Sequence, residues 1–174
     1  MTLYGYYFAA TGITEYAFFH GDRSVLCVSH DSLPNAPVRI RVPSDTVYTL
    51  SQANDWEGAM PAPGASLPFL GPDGSEAGML YLLGSDHFAV AIPGAALNGR
   101  IVREHLRRSV CLTGLDDALV ARLEYDFARM PSRERFGEWF SRRYVAEIAK
   151  RPGDTLLALA LAAPFLGFEG LEVR

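Results

Sequence analysis

The sequence predicts an α+β fold: an N-terminal antiparallel sheet of about five to seven strands packed on three or four C-terminal helices. Two changes of texture and one apolar segment carry that expectation. Residues 1–93 are rich in β-branched and aromatic side chains and are broken every ten or so positions by Gly, Pro, Asn or Asp, as short strands and turns are. From residue 94 onward apolar residues recur at spacings of three to five, as on helices. Near the end, "TLLALALAAPFLGF" is apolar on every side, so this helix is either buried or set against a partner.

The strands are expected near 3–9, 15–20, 24–30, 37–42, 46–50, 78–83 and 87–92. "HGDRSVLCVSHD" at 20–31 concentrates two histidines, a cysteine and two aspartates, which raises the question of a site. A hairpin turning at Gly21-Asp22 or Asp22-Arg23 explains it without chemistry, because these residues suit tight turns. Cys27 and His30 are three apart and so face opposite sides of a regular strand, and His20 sits at the turn. Cys27 then reads as a small buried hydrophobe rather than a nucleophile. Residues 54–78 are rich in proline and glycine and lack periodicity, which reads as a long surface loop.

In the second half, Leu97, Ile101, Leu106 and Val110 form one stripe, Leu115, Leu119, Leu123, Phe127 and Met130 a second, and Phe136, Trp139, Phe140, Tyr144 and Ile148 a third. "TGLD" at 113–116 fits a capping box for the second helix, and Pro131 separates the second from the third. "RPGD" at 151–154 ends the third helix and caps the fourth, 154–166. The chain is expected to be one domain, 1–174, with a β-rich part at 1–93 and a helical part at 94–174.

With 174 residues, 49% hydrophobic and 21% charged, the chain has a composition that supports an ordinary core. The N-terminus has no basic segment and carries Glu15 within its apolar stretch, unlike a signal peptide. Leu156–Leu166 is too short to span a bilayer. Two separated cysteines fit free thiols, so a cytoplasmic location is expected, with no membrane partner. Arginine supplies fifteen of the sixteen basic residues, which together with the many alanines suggests a GC-rich bacterial coding bias. Residues 1–99 carry three basic and nine acidic residues, and residues 100–174 thirteen and eleven. That asymmetry is read as charged outer faces of helices.

Known catalytic patterns are missing. "GPDGSEAG" lacks the lysine of a P-loop and the strand–turn–helix order of a dinucleotide fingerprint, and "GSDHF" is no nucleophile elbow. No histidine pair or Cys/His cluster has metal-ligand spacing, so neither metal nor cofactor is expected. Arg100, Arg103 and Arg107 would share a helical face, with Arg108 beside them, but interleaved glutamates and net charge −4 disfavour nucleic acid.

By elimination, the leading expectation is a non-catalytic protein-binding module, such as a bacterial immunity or antitoxin-like protein that covers and neutralises a partner. Its anchors would be Tyr4, Tyr6, Asp55, Trp56 and Glu57, since tyrosine and tryptophan suit interfaces. A homo-oligomer fits as well. A second reading is a small enzyme with a dispersed site drawn from His20, His30, His87 and Cys27. A third is a nucleic-acid-associated regulator using the arginine face.

Overall fold

A computed structural model describes residues 1–10, 13–31, 37–50, 64–104, 107–125 and 140–166. Its strands are β1 (Thr2–Ala10), β2 (Ile13–His20), β3 (Arg23–Asp31), β4 (Val38–Arg41), β5 (Val47–Leu50), β6 (Ser66–Leu70), β7 (Glu76–Leu82), β8 (His87–Ile92), β9 (Ala95–Glu104), β10 (Arg107–Thr113), β11 (Leu119–Tyr125) and β12 (Phe140–Ile148). Each strand pairs antiparallel with its chain neighbours, and β12 pairs back onto β1, which closes a twelve-stranded barrel. One helix follows, α1 (Asp154–Ala162), extended by a 3₁₀ turn at Ala163–Phe165.

This overturns the α+β expectation of a five-to-seven-stranded sheet on three or four helices. The seven strands expected in the first half are present, and β6 adds one inside the stretch assigned to a loop. The three helices expected between 94 and 148 are instead β9, β10, β11 and β12 among the described residues. The reason is arithmetical. A spacing of four returns to the same face of a helix, but four is even and returns to the same face of a strand as well. Leu97 and Ile101 point into the barrel from β9, as do Tyr144 and Ile148 from β12. The supposed capping box at 113–116 is a hairpin turn: Gly114 N–H bonds Ala118 O at 3.0 Å, and the Asp116 carboxylate accepts the Ala118 N–H at 3.2 Å. Pro131 lies outside the described residues.

The barrel has two ends. Strands β1, β3, β5, β7, β9 and β11 start at one of them, here the near end, and α1 starts there as well. Its connections are tight. Gly21-Asp22 joins β2 to β3 in the expected hairpin, with His20 paired to Arg23 and Gly21 at φ 58°. Pro93-Gly94 joins β8 to β9 as Pro then positive-φ Gly, the type II pattern. The turns at 42–46, 71–75 and 114–118 repeat one hydrogen-bond pattern, with Asp45, Gly74 and Asp117 in the left-handed conformation.

Alternation fills the interior. Leu3, Phe18, Leu26, Val28, Ile40, Leu50, Phe69, Leu80, Phe88, Val90, Leu112, Leu123 and Tyr144 face inward and form one core with α1. Twelve strands about 4.8 Å apart, tilted by about 40°, close a barrel about 24 Å across. Side chains alone cannot fill that width, whereas a helix about 10–12 Å wide leaves one side-chain layer all round. Accordingly α1 touches β3 on one wall and β8 and β9 on the other, and β3 and β9 lie diametrically opposite in the ring. Every residue from Leu156 to Leu166 is buried. The apolar segment is thus the barrel's core and not an interface helix. Gly153 starts it, and Asp154 in its first turn pairs with Arg151 at 3.5 Å.

Candidate functional site

Helix α1 fills the lumen among the described residues, and a recess lies on the outer wall. This recess is an open groove of about 380 Å³ across the outer faces of β11, β12 and β1, at the near end. The strand register builds it. Arg122, Glu147 and Thr2 lie side by side on β11, β12 and β1, as do Glu124, Val145 and Tyr4 one step along. Val145, Leu119 and Met1 line it with apolar surface, and Arg122, Glu124 and Glu147 supply charge. Arg122 Nε holds Glu124 Oε1 at 2.6 Å. The β1–β12 ladder ends tightly here, with the Ile148 N–H bonding Met1 O at 2.7 Å and the Met1 ammonium donating to Ile148 O at 2.9 Å.

Two of the five expected anchors lie along this wall. Tyr4, Tyr6, Phe19 and Val145 form an outward-facing cluster separate from the core. Tyr4 is half-buried and stands directly across from both Val145 and Phe19. Tyr6 is 2% exposed and meets Phe19 edge to face at 5.8 Å, so it supports the surface rather than presenting itself. Asp55, Trp56 and Glu57 lie outside the described residues.

The residues of the enzyme reading are spread apart. His20 is at the near end of β2, with Nδ1 3.3 Å from Thr2 O. His87 begins β8 at the far end, 3.6 Å from Asp86. His30 is near the far end of β3, its side chain outside the described residues, and His105 is outside them entirely. Cys27 is buried but outward, opposite Ala17 and Arg41. Burial, and then the neighbouring Glu15 carboxylate, push its thiol up from 9.0 to about 12, against a smaller opposing pull from Arg41. At neutral pH it is a protonated thiol, because burial and the Glu15 carboxylate both disfavour the thiolate that a nucleophile needs. Among the described residues, no three His, Cys, Asp or Glu side chains converge as a metal site would need.

The arginine face dissolves for the reason the helices did. Arg100 and Arg103 are three apart on β9, so they belong to opposite sides of the strand. Leu115 and Leu119, expected in a helical core stripe, are 77% and 46% exposed, Leu115 on the 114–118 turn and Leu119 lining the groove. Nothing in the sequence distinguishes them from buried Leu123; only the barrel's register does. No described helix is long and apolar enough to cross a membrane.

Fold and surface define the chain as a closed, antiparallel twelve-stranded barrel built around its own C-terminal helix, with a mixed apolar and charged groove on its outside. No protein-family model, curated protein or solved structure matches the chain.

Proposed function

We propose that this protein is a non-catalytic binding module that docks another polypeptide on the outer face of β11, β12 and β1, with Tyr4, Leu119 and Val145 as the apolar contacts. The observation that carries the reading is the groove itself, which sets apolar Met1, Leu119 and Val145 beside charged Arg122, Glu124 and Glu147. Protein interfaces likewise combine apolar contacts with charged and hydrogen-bonding groups. The plugged lumen supports it, because a barrel that binds small molecules keeps its interior open. Neutralising a partner, as an immunity or antitoxin-like protein does, is a specific form of this reading.

The reading places the protein in an aqueous, reducing compartment. Apolar side chains point inward while Arg39, Arg41, Arg100, Arg122 and Glu147 are exposed, the reverse of the lipid-facing pattern of a membrane-spanning barrel. Both cysteines are free thiols.

The test is a pull-down of tagged protein from its native cells after nuclease treatment, alongside Tyr4→Ala and Leu119→Asp. The expected result is a near-stoichiometric polypeptide that both substitutions deplete while the circular dichroism spectrum is kept. Recovery unaffected by either substitution refutes this surface as the binding site.

A further inference from the structure

We infer that the occupant of the groove is a second copy of this chain, held in a two-fold dimer in which Leu115 of each copy enters the other copy's groove. The inference rests on the binding-surface reading and names its partner. In a two-fold interface one patch meets itself, so that patch must carry a projection beside a recess and charges of both signs. This corner of the barrel has all of these.

The projection is Leu115, the most exposed large hydrophobic residue described, at 77%. It sits in the rigid 114–118 turn, which is closed by the Gly114–Ala118 and Asp117–Gly114 backbone bonds. The recess is the groove, whose wall Leu119 follows that turn directly and whose rim reaches Ala149. Lys150 Nζ approaches Asp116 Oδ2 at 3.8 Å, which ties the turn to the segment beside the groove. With the turn and the groove adjacent, a two-fold axis between them would set each Leu115 against the opposite recess. Among the described residues, exposed Met1 and Leu119 both line the groove, and exposed Leu115 stands on the turn that runs into Leu119. Clustering of this kind marks contact surfaces rather than scattered surface leucines.

Charge agrees. Arg122 and Lys150 lie in the same patch as Glu147 and Asp116, and Lys150 and Asp116 are exposed enough to exchange partners across an axis. A patch holding both signs is complementary to its own two-fold image, whereas a patch of one sign would repel it.

The test is sedimentation velocity on the full chain from about 1 to 100 µM, with Leu115→Asp and Leu119→Asp. Both positions are solvent-exposed, and thermal melts of the variants check that the barrel is intact. The expected result is a concentration-dependent wild-type dimer whose dissociation constant rises at least tenfold in each variant. A wild-type monomer throughout overturns the inference, and so does a dimer that both variants leave unchanged. If the protein is monomeric but a different polypeptide is captured from native cells and lost with Leu119→Asp, the second-copy inference falls and the binding-surface reading stands. If the protein is monomeric and no capture depends on Tyr4 or Leu119, both fall.

Discussion

Replacing Gly5 by alanine tests the packing of the barrel around its helix. Gly5 faces inward on β1 directly opposite Phe18 on β2, and the Phe18 ring lies over the glycine. A Cβ on residue 5 would stand 2.5 Å from Phe18 Cε1 and 2.9 Å from Cδ1 and Cζ, against an ordinary carbon contact of about 3.5–4.0 Å. The ring would have to retreat by about 1 Å, and its way is blocked. Phe165 lies 5.6 Å from it and Tyr144 6.4 Å, centroid to centroid, and Phe18 is fully buried. Overpacking of this kind costs about 1–3 kcal/mol, while removing a glycine from the unfolded chain returns about 0.4–1 kcal/mol. The net expectation is a loss of about 1–2 kcal/mol, or about 2–8 °C in Tm for a chain of this size. Urea unfolding followed by far-UV circular dichroism measures it. The decisive comparison is Gly5→Ala with Phe18→Leu. If the ring is the obstacle, the double variant is more stable than the two single losses predict by about 1 kcal/mol. A neutral Gly5→Ala, or losses that add within about 0.5 kcal/mol, would refute the account. Gly99 beneath Phe88, on the wall formed by β8 and β9, should behave in the same way.

Other expectations follow from the same structure. Leu159→Asp puts a carboxylate at a fully buried position of α1 inside the apolar core, and should cost more than about 4 kcal/mol, read as loss of the cooperative thermal transition; a well-folded variant would argue against an internal helix. Cys27 should resist iodoacetamide at pH 8 in the folded protein and react in urea, as peptide mass spectrometry would record. Prompt labelling of the native thiol would contradict its burial. Because the folded thiol keeps its proton to about pH 12 while an ordinary one loses it near 9.0, the unfolded state releases its proton first as pH rises. The stability contributed by Cys27 is therefore full below about pH 9 and is lost progressively between there and about 12. Denaturation midpoints across that range should fall less steeply in Cys27→Ala; equal slopes would remove the thiol as a cause.

Much was legible from local chemistry. Seven strands of the first half follow from β-branched and aromatic runs between turn residues, and the 20–31 segment is the expected hairpin because Gly21 supplies the positive φ its turn requires. The apolar segment starting at Asp154 is a helix, begun at Gly153 as "RPGD" indicated. Whether that helix was covered by its own chain or by a partner was open, because complete apolarity demands burial without saying where. β6 was hidden because proline and glycine flank "SLPFL". Its Pro68 is tolerated because the described ladder to β5 reaches only Phe69 and Leu70.

The sequence alone determined the local elements wherever one period fitted and the other did not, and it determined that the apolar run 156–166 must lie out of water. Only the tertiary structure decided that Leu97/Ile101 and Tyr144/Ile148 belong to strands, because a four-residue spacing satisfies both geometries and β12 becomes a strand by pairing with β1, more than a hundred residues away. Closure of the ring also decided which leucines are core and which are surface, setting Leu123 inside and Leu119 on the wall of the groove. That assignment depends on register, which is set by long-range pairing and by bulges such as the one at Leu112/Thr113, where local propensity has no influence.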